Sequence, residues 1–80
     1  MIKSLILYST SACSLCERAE QLLRSMPELR TVTLNVVDIA EDAALVVRYG
    51  ALIPVVATEA GDAIVWPFNA DAVVELLSPR

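Results

Sequence analysis

Cys13 and Cys16 are the two cysteines of the chain and spell Cys13-Ser14-Leu15-Cys16. Histidine is absent. That excludes Ser-His-Asp and Cys-His catalysis, His general acid–base chemistry and His metal ligation. Chemistry falls to carboxylates, a few hydroxyls, backbone groups and the two sulfurs. A clustered pair closes almost no loop, so it cannot staple a fold as dispersed disulfides staple secreted mini-proteins. Three residues apart at a helix start, the cysteines share one face. The spacing suits a disulfide, whose Cα atoms usually stand about 5.5–6 Å apart. An outer sulfur can attack a partner disulfide to give a mixed disulfide, and an inner sulfur can then resolve it. The pair thus supports a two-step redox cycle with no other acid or base. Two readings stand beside this one. Buried cysteines can serve as small hydrophobes. Zinc needs four ligands, which here means a dimer sharing four cysteines; no metal site is expected within one chain.

The elements that position the pair follow from hydropathy. Residues 2–8 end as a nearly continuous apolar run, which predicts a strand covered on both faces. Residues 9–12 are small and polar and form a loop. From Cys13 a helical period begins, with Leu15, Ala19, Leu22, Leu23 and Met26 on one face, and Pro27 ends it. Cys13 therefore sits at the helix N-terminus, where unpaired N–H groups and the helix dipole stabilise a thiolate. Residues 31–37 alternate and are rich in β-branched side chains, which predicts a strand near an edge. Asp38 to Ala40 turns the chain. Glu41 to Tyr49 reads as a short helix with Leu45, Val46 and Tyr49 inward, closed by Gly50 as a C-cap glycine. Residues 54–58 and 63–66 form a hairpin around Gly61. Asn69 is placed to cap a last helix, with Asp71 in its first turn and Val73, Val74, Leu76 and Leu77 along it.

The predicted order is β-α-β-α-β-β-α, an α/β fold in one domain, residues 1–80. The early βαβ unit forces a parallel pair. The expected four-stranded mixed sheet has order 2-1-3-4, with helices on both faces. With 80 residues the chain has room for a single core. Its net charge of −4 and lack of a basic stripe speak against nucleic acid and anionic membranes as partners. The apolar run after Lys3 stops at Ser9, shorter than a signal peptide requires, and no stretch reaches transmembrane length. A cytoplasmic protein is expected.

A strand, a C-x-x-C at a helix start and Ile53-Pro54 opening a later strand together resemble the thioredoxin superfamily. Within it the chain is similar to the short bacterial glutaredoxin-like proteins along essentially its whole length. The segments that carry the likeness are Leu7-Tyr8-Ser9-Thr10-Ser11-Ala12-Cys13-Ser14-Leu15-Cys16, Asp38-Ile39, and Arg48-Tyr49-Gly50-Ala51-Leu52-Ile53-Pro54-Val55. The resemblance implies a thioredoxin-like, glutaredoxin-type fold. It implies Cys13 as nucleophile, Cys16 as resolving cysteine and Pro54 as a proline held cis beside them. A cis bond there would expose the Ile53 backbone to pair with an extended peptide or glutathione. Thr10, Ser11, Ala12 and Ser14 would line the groove near the sulfur. The chain departs from glutaredoxins between the cysteines, where Ser14-Leu15 replaces a Pro-Tyr type pair. Thr10 stands where many have a lysine, and Trp66-Pro67-Phe68-Asn69-Ala70-Asp71 replaces a Gly-Gly and acidic segment, leaving Asn69 and Asp71 to serve there. Thioredoxin itself fits less well, with Ala12 in place of a tryptophan.

The activity so implied is thiol–disulfide oxidoreduction on protein or glutathione disulfides. No bound cofactor is expected, and glutathione is a candidate co-substrate. The alternative is a redox-sensing or protein-interaction module of the same fold without turnover. Trp66, Phe68 and Tyr8 are expected to pack, and Glu17 and Arg18 to be solvated.

Overall fold

The computed structural model describes residues 2–78. Seven main elements follow in order: β1 (Ser4–Ser9), α1 (Ser14–Ser25), β2 (Thr33–Asp38), α2 (Ala43–Tyr49), β3 (Val55–Thr58), β4 (Ala63–Val65) and α3 (Ala70–Leu77). Short 3-10 turns at Pro27–Leu29 and Ile39–Glu41 flank β2. The four strands form one sheet of order β2-β1-β3-β4. β1 runs parallel to β2, with Ser4 opposite Thr33 and Ser9 opposite Asp38. β1 and β3 are antiparallel, with Tyr8 opposite Val55 and Leu5 opposite Thr58. β3 and β4 are an antiparallel hairpin, with Val55 opposite Val65. The predicted order and strand directions hold.

Boundaries shift for local reasons. β1 begins at Ser4 because its partner begins at Thr33, whose N–H donates to the Lys3 carbonyl at 2.9 Å. Thr31 and Val32 belong to a turn, with the Val32 N–H donating to the Leu29 carbonyl, so β2 starts two residues later than its alternation predicts. β3 starts after Pro54, which has no N–H for a ladder. Glu41 falls in a 3-10 turn rather than in α2, because the Asp42 carboxylate caps that helix, accepting from the Ala44 and Leu45 N–H groups at 2.9 and 3.3 Å.

The sheet's faces are unequal. On one, Leu5, Leu7 and Val56 pack with Ala19, Leu23 and Met26 of the α1 region and Val73 and Leu76 of α3. Each fully buried leucine contributes about 2 kcal/mol there. The other face carries the seven-residue α2, whose Tyr49 stacks on Tyr8. β1 is therefore buried at Leu5, Leu7 and Ser9 and half-buried at Ser4, Ile6 and Tyr8, not buried on both faces. Leu45 and Tyr49 are half-buried, but Val46 is 44% exposed and no residue of α2 is buried. The inward stripe expected of this helix is incomplete because seven residues cannot cover the sheet. Of the predicted α1 face, Ala19, Leu23 and Met26 are buried, but Leu15 is 43% exposed and Cys16 is buried in its place.

Gly50 takes the C-cap of α2, as expected, with a right-handed backbone, φ −52° and ψ −37°, so its place does not rest on a left-handed conformation. Glycine is needed for close approach: a Cβ there would lie 2.5 Å from the Val46 carbonyl oxygen, which already accepts the Gly50 N–H at 2.8 Å. Gly50→Ala is expected to destabilise the fold by about 1–3 kcal/mol, by forcing this turn apart. Chemical denaturation of wild type and variant measures the difference.

Candidate functional site

The carboxyl end of β1 is where the site forms. Tyr8 and Ser9 lead into the loop 10–12, and Cys13 takes the N-cap of α1 with extended backbone, φ −115° and ψ 104°. Its Sγ accepts the Cys16 N–H at 3.2 Å, satisfying one of the donors that a helix start leaves unpaired. The Cα atoms of Cys13 and Cys16 are 5.2 Å apart and their sulfurs are at disulfide distance. Cys13 is partly exposed, whereas Cys16 is 4% exposed. The asymmetry has a simple origin. Cys16 belongs to the stripe of α1 that also carries Ala19 and Leu23, so it turns toward the sheet. Cys13 precedes the first helical turn.

Ala12, just before Cys13, has φ +56°. That is the left-handed region, where a Cβ costs about 1 kcal/mol or more. Sequence reasoning placed Ala12 in the loop but had no signal for this conformation, since glycine and asparagine are its usual markers. Thr10 is half-buried, and Ser11, Ala12 and Ser14 are exposed around the pair.

Strand pairing brings the other expected positions to the same end. Val55 opposes Tyr8, so Pro54 and Ile53 stand beside the loop that follows β1. The Ile53–Pro54 peptide is cis and Pro54 is buried. The Ile53 N–H donates to the Tyr49 carbonyl at 3.1 Å. One of the two Ile53 backbone groups expected to be open for pairing is thus engaged within the chain. On the far side the Trp66 N–H donates to the Pro54 carbonyl at 3.1 Å, and the Trp66–Pro67 peptide is also cis. Asn69 caps α3, its Oδ1 accepting the Ala72 N–H at 2.9 Å, so that oxygen is committed to the helix. Asp71 is exposed in the first turn.

Aromatic contacts tie these pieces together. The Tyr8 and Tyr49 rings stack with centroids 4.5 Å apart and planes at 22°. Each tyrosine lies five residues before a site residue, Cys13 and Pro54 respectively, so the stack fixes one loop against the other. Packing was expected for Tyr8; its partner was not legible. Trp66 and Phe68 meet edge to face, 5.1 Å between centroids, and pack against the main core. Glu17 and Arg18 are exposed.

One concavity, about 280 Å³, lies between β4 and α3 along Ala63, Ile64, Ala72 and Leu76. Another follows the exposed side of α1 at Glu17, Glu20 and Arg24. Neither includes a cysteine. The chemistry of the site comes from an accessible sulfur backed by a shielded one. Among the described residues no three potential metal ligands cluster, and no helix is long and apolar enough to cross a membrane.

A four-stranded 2-1-3-4 sheet with a C-x-x-C pair at the start of the first helix defines a thioredoxin-like domain of the glutaredoxin type. Residues 4–78 match the family model described as Glutaredoxin-like domain (DUF836), and the chain belongs to that family. The X-ray structure of the structural genomics target protein XcR50 from X. campestris is 33% identical, covers 94% of this chain and 99% of its own, and superposes with a TM-score of 0.77. The solution structure of XcR50 gives 32% identity, 100% and 99% coverage and a TM-score of 0.73. Protein Ne2328 from Nitrosomonas europaea shares the fold at 22% identity, covering 98% of this chain and 94% of its own, with a TM-score of 0.81. No curated protein matches.

The burial difference sets an order of reactivity. In the reduced protein, iodoacetamide is expected to label Cys13 at least about tenfold faster than Cys16, because the inner thiol needs local opening to be reached. Timed quenching followed by peptide mass mapping measures both rates.

Proposed function

We propose that the protein is a thiol–disulfide oxidoreductase acting from the Cys13–Cys16 couple. The observation that supports it is the pairing of an accessible Cys13, at a helix N-terminus, with a shielded Cys16 at disulfide distance. The reaction begins with the reduced pair. The Cys13 thiolate, which a helix N-terminus stabilises, attacks one sulfur of the partner disulfide. A Cys13–partner disulfide forms, and the other partner sulfur leaves as a thiolate and takes up a proton. The Cys16 thiolate then attacks Cys13 Sγ, forming the Cys13–Cys16 disulfide and releasing the second partner sulfur, which is protonated in turn. Two electrons and two protons pass to the partner. A dithiol or two monothiols of the cell return them, so the cycle needs no bound cofactor.

The groove follows from the same end of the sheet. Thr10, Ser11, Ala12 and Ser14 border the outer sulfur, and Pro54 forms the wall opposite. With its N–H engaged, Ile53 offers its carbonyl for pairing with an extended substrate. Asp71 and the amide nitrogen of Asn69 lie at the start of α3. A steady supply of thiol reductant suits the cytoplasm. The engaged Ile53 N–H favours a second reading, a redox-sensing or interaction module whose disulfide forms and breaks without turnover.

Replacement of each cysteine separates these readings. Cys16→Ser is expected to accumulate a mixed disulfide, and Cys13→Ser to form none and to lose at least about a hundredfold in disulfide reduction. Intact-mass spectrometry and a coupled reduction assay read the two effects. In glutathione buffers, an adduct on Cys16→Ser with a two-electron wild-type transition near about −200 to −230 mV would mark glutathione as the co-substrate. Absence of wild-type turnover on every model disulfide, with reversible disulfide formation retained, would assign the sensor role instead.

A further inference from the structure

We propose that the disulfide-bearing end of the sheet docks a cationic polypeptide segment with an apolar residue beside its own disulfide, in preference to glutathione. The proposal rests on the redox reading above and specifies its substrate class. It starts from charge placement. Glu17 is in the first turn of α1, Asp38 ends β2, Glu41 and Asp42 follow it, and Asp71 is in the first turn of α3. Strand directions put all five at the end that carries Cys13 and Pro54, and all are exposed. The arginines there are Arg18 and Arg48. Five carboxylates against two guanidiniums leave a balance of −3 (2 − 5), most of the −4 of the whole chain. Arg48 is partly occupied, its guanidinium 5.2 Å from the Tyr49 ring centroid.

Glutathione carries two carboxylates and one ammonium. An end with an excess of exposed carboxylates repels it, and Thr10 and Asn69 supply no cation in compensation. Charges within a Debye length of about 8–10 Å act on an approaching ligand at moderate salt, so the same field draws in a lysine- or arginine-bearing segment.

Exposed apolar side chains complete the match. Leu15, between the two cysteines, is 43% exposed, and Leu52, two residues before Pro54, is 45% exposed. Val46 and Val47 of α2 are 44% and 88% exposed. The open, apolar and acidic rim of this end suits an extended cationic chain.

The test uses the reduced full chain with homodimeric disulfides of acetyl-Lys-Cys-Leu-amide and of its Gln and Glu counterparts, plus oxidised glutathione. Each rate is divided by that of dithiothreitol with the same disulfide, which cancels leaving-group acidity. At low ionic strength the Lys peptide is expected to react about tenfold faster than the Glu peptide, with the Gln peptide between them and glutathione no faster than the Glu peptide. In about 0.5 M salt the spread should collapse to about twofold. Combined Glu17→Gln and Glu41→Gln should narrow the Lys-to-Glu ratio about threefold, a ratio in which any change in Cys13 acidity cancels. Replacing the peptide leucine by serine should slow every peptide. Equal normalised rates for the three peptides, or glutathione faster than the Lys peptide, would overturn the proposal and leave the redox reading intact. No reaction with any disulfide would remove the redox reading itself. A concentration-dependent dimer in sedimentation, dissolved by Val47→Asp with a gain in rate, would assign the face to a second copy and also overturn it.

Discussion

The pairing of β1 with β3 is the constraint on which the rest of this molecule depends. β1 delivers the chain to the cysteine loop and β3 receives it from Pro54. Their antiparallel register sets Tyr8 against Val55, so the end of one strand and the start of the other coincide. Had the two run parallel, Pro54 and the cysteines would lie at opposite ends of the sheet. The outer strands extend this logic. β2, parallel to β1, ends beside it at Asp38, and β4, antiparallel to β3, delivers Trp66 to the Pro54 carbonyl. Every connection that borders the candidate site leaves or enters the sheet at one edge of its core.

The inequality of the two cysteines comes from the register of α1 on the sheet. A helix buries one stripe, and Ala19 and Leu23 fix that stripe against Leu5, Leu7 and Val56. Cys16 falls on it and is shielded. Cys13 lies before the first turn, with extended backbone and a sulfur that caps the helix. Ala12 reaches that arrangement only by crossing into the left-handed region. The surrounding pairing holds it there against a cost of about 1 kcal/mol. Core packing thus decides which sulfur is accessible and which is shielded.

The thinner face of the sheet has a different economy. α2 buries no side chain and is too short to be stable by propensity. Asp42 caps one end, and at the other Tyr49 stacks on Tyr8 while its carbonyl accepts from Leu52 and Ile53. Few buried contacts and local hydrogen bonds place such an element at the low end of local stability. Its exposed valines and neighbouring carboxylates therefore face solvent on a part of the fold held mainly by local contacts.

Much of this was legible in the residues. Hydropathy periods, Pro27, Asn69 and the Gly61 turn mark seven elements in order, and a βαβ unit followed by a hairpin admits few sheets, so topology and the position of Cys13 at a helix start follow from sequence. Local chemistry acts over a few residues, and short range is what a linear sequence displays. The tertiary structure decided what depends on partners distant along the chain. Leu15 and Val46 are apolar and fit helical stripes, yet they are exposed because no surface meets them. Gly50 caps α2 with a right-handed backbone in close approach to Val46, and the Ile53 N–H is drawn to Tyr49 rather than left open. Tyr8 and Tyr49 find each other across 41 positions, and Ala12 turns left-handed because both ends of its loop are already fixed. In each case the local sequence permits several outcomes of similar energy, and long-range packing selects one.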